Sequence, residues 1–243
     1  MASLYRSYQD LFGIGSSWAR VHITLLAVRF LCIFLTGYPH PDEFFQSPEI
    51  AAADIFEFNV FIPWEFADLS NPCRSIISPL IGSGLGYTIL YGLSYLSSSI
   101  INGFTLLIFP RIIMFLLSLV IDYATATISR WKGDDPGPFL LILGSSWTML
   151  VMHTRPFSNI LESFFVCVAI LLFLVPQEVL TGPLRSWRFV MLGAVFSLGI
   201  FTRFTFVFFF FPIALGVLHE LLYRPCFGND FIKIVFLTLH YFY

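Results

Sequence analysis

Long apolar runs separated by short polar connections set the pattern of this chain. They cover residues 21–37, 76–103, 106–129, 138–153, 158–175, 189–202 and 204–222, with a last one beginning near 231. A helix rises about 1.5 Å per residue, so roughly 17–25 apolar residues cross a hydrocarbon core. The runs therefore predict membrane-spanning helices and an all-α fold, a polytopic transmembrane helical bundle. The first run, interrupted by Arg29, leads into charged sequence without a small-residue cleavage site. That predicts a retained span rather than a signal peptide. The 189–202 run is short and has to borrow flanking residues or tilt.

The largest interruption is 38–75, which holds Asp42, Glu43, Glu49, Asp54, Glu57, Glu65 and Asp68. It opens with His40-Pro41-Asp42-Glu43-Phe44-Phe45-Gln46, where proline at a first helical position and acids in the first turn mark a helix start. Ser47-Pro48-Glu49 reads as a second N-cap and first turn. The spacing after it puts Ile50, Ala51, Ile55 and Phe58 on one face, which suits a short helix lying in the membrane interface. Trp64 beside Pro63 suits the headgroup level. An acid pair at the mouth of a spanning helix is a functional-site candidate. A solvated cap that merely ends the preceding helix is the plain alternative.

Composition sharpens the class. The chain is 57% hydrophobic and 12% charged, about half the charge of a soluble domain. A net charge of −2 and a pI near 6.2 leave no basic footprint, so nucleic acid is not an expected partner. The four cysteines, Cys32, Cys73, Cys167 and Cys226, show neither zinc-ligand spacing nor a disulfide framework. His40, Asp42, Glu43 and Glu49 offer oxygen and imidazole donors of the kind that suits Mn²⁺ or Mg²⁺. Their spacing does not enforce a ligand geometry, so no metal is assigned.

Basic residues gather on cytosolic loops, and this decides the sidedness expected here. If 76–103 does not cross, Arg6, Arg20, Arg130, Lys132, Arg185, Arg188 and Arg224 are cytosolic, and Arg74, Arg111, Arg155 and Arg203 lie on the far side. If it does cross, the cytosolic set shrinks to Arg6, Arg20, Arg111, Arg155 and Arg203, the smaller share. The stretch 76–103, rich in Gly and Ser, is thus expected to be re-entrant or interfacial. That choice brings His40–Glu43, the loop from His153 to Asn159 and the hairpin tip at Arg203 to one non-cytosolic surface.

Each candidate there has two readings. Arg155 either reaches headgroup phosphates or clamps the phosphate of a lipid ligand through its forked donors, with His153 as a further donor. Arg203 shares both readings, and Glu162 lies about one turn into the following helix. A charge in lipid requires a partner; Arg29 can pair with Asp122 or Glu162. The Phe206–Phe211 run reads as lipid-facing or as inter-helix packing, and it shows no helical period, as expected for a helix buried on all sides. A non-enzymatic transporter or scaffold is the rival class, although its polar sites are expected at mid-membrane rather than in a surface loop.

Several long motifs resemble those of the endoplasmic reticulum mannosyltransferases that use dolichyl-phosphate mannose. They are Gly37-Tyr38-Pro39-His40-Pro41-Asp42-Glu43-Phe44-Phe45-Gln46-Ser47-Pro48-Glu49, Pro63-Trp64-Glu65-Phe66, Cys73-Arg74-Ser75, and His153-Thr154-Arg155-Pro156-Phe157-Ser158-Asn159 through Glu162. Within that family the likeness is to the GPI-anchor branch, with the N-glycan lipid enzymes as relatives. The resemblance implies a GT-C type glycosyltransferase, multi-pass in the endoplasmic reticulum membrane, with a lumenal first loop carrying the essential acid. It implies dolichyl-phosphate mannose as donor, a mannosylated GPI lipid precursor as acceptor, membrane lipid around the bundle, and no cofactor. On it, Asp42 and Glu43 are the catalytic candidates, and His40, Arg155, His153, Arg203 and Glu162 are candidates for binding the donor and its phosphate. Family members are longer, and this chain ends within an apolar stretch at Leu237–Tyr243. It is expected to be one N-terminal module, with 38–103 the lumenal loop and 104–243 the helical bundle.

Overall fold

The structure, a computed structural model, describes residues 17–67, 73–176 and 183–223, with the backbone alone at 98, 183–186 and 221–223. Arg6, Asp68, Arg224, Cys226 and the apolar run near 231 lie outside the described residues. Those described form an all-helical assembly. Its elements are α1 (Ser17–Cys32), α2 (Asp42–Phe45), α3 (Pro48–Phe56), α4 (Trp64–Ala67), α5 (Ile77–Pro79), a π-helical stretch (Leu80–Gly84), α6 (Leu85–Ser94) and a 3₁₀ turn (Ser98–Ile100). There follow α7 (Gly103–Trp131), α8 (Pro136–Ser145), α9 (Trp147–Leu150), a 3₁₀ turn (Met152–Thr154), α10 (Ser158–Phe173), α11 (Pro183–Thr202) and α12 (Phe206–Tyr223).

Helix α7 is the spine. Asn102 caps it, accepting from the Phe104 and Thr105 N–H groups, while the Thr105 hydroxyl accepts from the Asn102 N–H at 3.0 Å. This reciprocal cap satisfies backbone donors that a helix start otherwise leaves bare. The helix α1 packs on α8, which packs on α7; α10 packs on α7, α11 and α12. Met114, Leu161, Phe165, Leu192, Phe206 and Phe210 are buried where α7, α10, α11 and α12 meet. A Cβ at Gly199 would lie 2.3 Å from the Phe206 ring, so only glycine admits that contact.

Pro110 explains how α6 is seated. Proline has no N–H, so the Leu106 carbonyl one turn earlier loses its helical donor. The Tyr87 hydroxyl of α6 replaces it, donating to Leu106 O at 3.0 Å. Gly86 allows that approach, because a Cβ there would meet the Phe109 carbonyl at 2.8 Å. Burial, and then the Glu49 carboxylate, push the Tyr87 phenol above its ordinary range, keeping the donor proton in place. Tyr87 and Leu90 pack with Leu106 and Phe109, alongside the first two turns of α7.

By length and composition, one helix among the described residues is long and apolar enough to cross a membrane: Gly103–Trp131. Trp147–Thr154 and Ser158–Phe173 pass the same test only together, across a bend of 114°. Pro136–Ser145, Trp187–Thr202 and Phe206–Glu220 are shorter apolar helices. The structure thus departs from the expected spans. The 138–153 run breaks because Ser146 restarts the chain as an N-cap, its hydroxyl accepting from the Met149 N–H at 3.2 Å. The first helix ends at Cys32 rather than at 37, because the carbonyls of Ile33, Leu35 and Gly37 turn to arginine side chains instead. The short 189–202 run does gain flanking residues, starting at Pro183.

Smaller expectations are corrected too. Ser47 is an N-cap by position, but its hydroxyl pairs with that of Ser83 at 2.7 Å and makes no cap bond. Phe58 falls outside α3, which stops at Glu57 in the left-handed region (φ 56°), and its side chain is exposed. The phenylalanine run is not buried on all sides: Phe206 and Phe210 turn inward, while Phe208, Phe209 and Phe211 are exposed.

Candidate active site

The polar groups collect where α1 leaves its helix, α7 begins, and the loops 152–157 and 203–205 turn. Glu43, in the first turn of α2, is 1% exposed. Its Oε1 accepts from Arg111 Nη2 at 2.7 Å, Arg111 Nε at 3.1 Å and Arg155 Nη1 at 3.0 Å. Two guanidinium groups on one carboxylate leave an excess positive charge. The backbone spreads it: Arg111 donates to the carbonyls of Ile33, Leu35 and Gly37, and Arg155 to Gly37 at 2.8 Å. This triad fastens the segment 33–43 to α7 and to the loop before α10. Charge-assisted bonds of this kind are among the strongest available to a side chain.

Asp42, the next residue, has the opposite setting. Its side chain is 45% exposed, with His40 Nδ1 at 3.4 Å and His40 itself 62% exposed. The imidazole also accepts from the Asp42 N–H at 3.2 Å. One acid of the pair is therefore locked inside and the other stands at an open surface. His40, Asp42, Glu43 and Glu49 do not converge: Glu43 faces arginines and Glu49 accepts from the Phe61 N–H at 3.1 Å. Among the described residues, no group of three or more His, Cys, Asp or Glu is arranged to hold a metal ion.

Arg155 points inward at 2% exposure rather than toward headgroups. His153 is buried as well, with Nδ1 3.0 Å from the Thr148 carbonyl and Nε2 3.2 Å from the Ser163 hydroxyl, so it ties the loop to α10. Arg203 is the more open guanidinium. It lies 3.4 Å from Glu162, donates to Ser158 Oγ at 3.2 Å and bonds the Asn159 side chain. Glu162 also accepts from the Thr205 hydroxyl at 2.6 Å. Arg74 reaches the same Ser158 hydroxyl at 3.5 Å, donates to Gln46 at 2.8 Å and pairs with Glu65 at 2.9 Å. The acid motif, the 153–159 loop and the Arg203 tip thus share one end of the bundle.

The question left open for Arg29 is settled in favour of Asp122, bonded at 2.6 and 3.3 Å, with Ser118 at 3.1 Å. Arg111, a topological marker in the sequence, is a member of the triad. The signal was present: an arginine directly after Pro110, inside an apolar run, requires a buried partner. Single cysteines in place of Asp42, Asn159 and Phe204, in an otherwise cysteine-free chain, should all react with an impermeant thiol reagent from one side of sealed vesicles. Reaction of any one from the opposite side would break up the shared face.

Comparison with known proteins identifies the family. The sequence profile of the Alg9-like mannosyltransferase family matches residues 20–242. The chain is 37% identical over 194 residues to human "GPI alpha-1,2-mannosyltransferase 4", covering 76% of this chain and 33% of that protein. It is 34% identical over 165 residues to "GPI mannosyltransferase 4" of Drosophila melanogaster (63% and 24%), and 32% identical over 195 residues to that of Schizosaccharomyces pombe (78% and 35%). No solved structure matches the chain. It spans about a third or less of the length of these curated relatives. With the profile running almost from end to end, the chain belongs to the Alg9-like mannosyltransferase family.

Proposed function

We propose that this chain is the acid-bearing module of a membrane enzyme that transfers mannose from dolichyl-phosphate mannose to a mannosylated GPI lipid precursor. The product carries an α-1,2-linked fourth mannose, and the reaction runs at the lumenal face of the endoplasmic reticulum membrane. The observation that carries this is the family match over residues 20–242, with relatives named for that transfer. The gathering of polar side chains at one end of apolar helices supports it. So does the side-by-side packing of α1, α7, α8, α10, α11 and α12, which we take as a polytopic bundle with 38–103 as its lumenal loop and the helices after 104 as its body.

The chemistry follows from the substrate class. The acceptor hydroxyl oxygen attacks the anomeric carbon of the β-linked donor as the carbon–oxygen bond to phosphate breaks. The bonding pair leaves with dolichyl phosphate, and the hydroxyl proton passes to a carboxylate. Attack from the face opposite the leaving group inverts the centre without a covalent intermediate. Asp42 is the base in this scheme, because it is open and its neighbour Glu43 is not. The leaving phosphate needs cationic stabilisation rather than a general acid. Arg203, with Arg74 beside it and His40 at the mouth, is assigned that role. Arg155, His153 and Glu162 hold the loops that present these groups.

A chimera tests the assignment. This chain, replacing the part of the human relative that it matches, is expected to restore four-mannose GPI species in cells lacking that relative. An α-1,2-specific mannosidase should remove the added residue. Accumulation of the three-mannose precursor alone, with the chimera inserted, would count against fourth-mannose transfer.

A further inference from the structure

We propose that His40 is the second station of the reacting proton: its Nδ1 receives from Asp42 the proton that Asp42 takes from the acceptor hydroxyl. The proposal rests on the mannosyl-transfer reading, in which Asp42 is the base. The backbone sets the two side chains together. Proline pre-sets the second position of a turn, and Pro41 has φ −54° and ψ −32°. The Glu43 N–H closes the turn on the His40 carbonyl at 3.0 Å. Glu43 itself is clamped by Arg111 and Arg155 at 2.7 and 3.0 Å, so the turn that carries His40 and Asp42 stands on a fixed footing.

The hydrogen bond between the two residues identifies the tautomer. The Asp42 N–H donates to His40 Nδ1 at 3.2 Å. A backbone amide nitrogen only donates, so Nδ1 bears a lone pair and the neutral ring carries its proton on Nε2. Asp42 Oδ1 lies 3.4 Å from the same Nδ1. Two acceptor atoms thus face each other with no proton between them. An ordinary surface ion pair would need a proton on Nδ1, directed at the amide hydrogen. The arrangement is instead poised for a proton arriving on Asp42. Among the described residues, the ion-pair partner of His40 is Asp42; the charged groups under the turn, Glu43, Arg111 and Arg155, are paired with one another.

The step balances. The acceptor O–H bond breaks as its oxygen attacks the anomeric carbon, and the proton binds Asp42 Oδ1. A small turn of the imidazole brings Nδ1 onto that new O–H in place of the amide, whose N–H is at the open surface and passes to water. Imidazole is intrinsically more basic than a carboxylate, so the proton crosses to Nδ1. Asp42 is ionised again, and the ring becomes an imidazolium as dolichyl phosphate departs. The ring is 62% exposed. It therefore loses one proton to water and returns to the Nε2 tautomer that the Asp42 N–H selects. His40 is thus a positioning residue that acts through Asp42 and keeps it basic.

The test uses the chimera, with initial rates measured between about pH 5 and 8, where histidines change charge. His40→Gln and His40→Ala are expected to lower kcat roughly tenfold or more with KM within about twofold, because residue 40 acts on the proton and not on binding. The unaltered chain should gain rate as pH rises across this range, since only the neutral ring accepts, and both variants should lose that dependence. Free imidazole can enter at this exposed position. It should restore most of the His40→Ala rate and none of the Asp42→Asn rate. Imidazole nitrogen chemical shifts in the whole chain read the tautomer without turnover, and an unprotonated Nδ1 is expected for neutral His40. A protonated Nδ1 in the neutral ring, kcat within about twofold in both variants, or a rate that falls as pH rises overturns the relay. So does failure of imidazole to restore His40→Ala. An unaltered chimera that transfers no mannose would sink the transferase reading and the relay with it. Transfer that keeps its rate and pH profile in both variants would remove the relay alone.

Discussion

Replacing Glu43 with glutamine is expected to destabilise the polar end of the molecule. The substitution keeps the size of the side chain and removes its charge, leaving Arg111 and Arg155 buried and facing each other across a neutral amide. Breaking a buried ion pair by deleting one partner costs about 3–5 kcal/mol, because the remaining charge has neither water nor a counterion. In a protein of this size that corresponds to a melting temperature lower by roughly 10 °C. Size-exclusion profiles after heating in detergent measure it directly. Combining Glu43→Gln with Arg111→Met and Arg155→Met should recover part of the loss, since apolar groups of similar volume tolerate the site better than stranded charges do. A Glu43→Gln protein with wild-type melting behaviour would show that the triad is dispensable.

Asp42→Asn is expected to behave in the reverse manner. Its carboxylate is 45% exposed and its ionic contact is with the exposed His40. Exposed pairs contribute only about 0–1 kcal/mol, so stability and insertion should hardly change. Turnover should fall by roughly 10²–10⁴, the usual contribution of a positioned general base. The amide keeps the shape and the hydrogen-bonding reach of the acid but has no lone pair basic enough to take a proton. Two adjacent acids of one motif are thus predicted to differ completely, one in folding and the other in turnover.

The helical body and the helix start at the acid motif are legible in the sequence. Apolar runs have a length scale set by the helix rise, and Pro41 before two acids marks a helix start by local chemistry alone. The need of Arg29 for a buried acid is legible as well, though not which acid, since depth along a helix does not fix its rotation. The division between Asp42 and Glu43 is not legible. A four-residue helix has no periodicity to reveal its inner face. The partners of Glu43 lie 68 and 112 residues away, so no local pattern encodes them. Arg155 is obscured for the same reason: its inward turn depends on a carbonyl at Gly37, 118 residues earlier. The buried face of the phenylalanine run is hidden by its uniformity, because packing against Phe196 selects Phe206 and Phe210 from equivalent residues.

The proposed chemistry turns on where the reacting proton goes. Its most direct test is the initial rate of mannose transfer to the GPI precursor per molecule of folded chimera, compared between the unaltered chain and Asp42→Asn in the same membranes. A fall of roughly a hundredfold or more at unchanged melting temperature is predicted. A rate within about twofold of the unaltered chain, at equal folded protein, would contradict it.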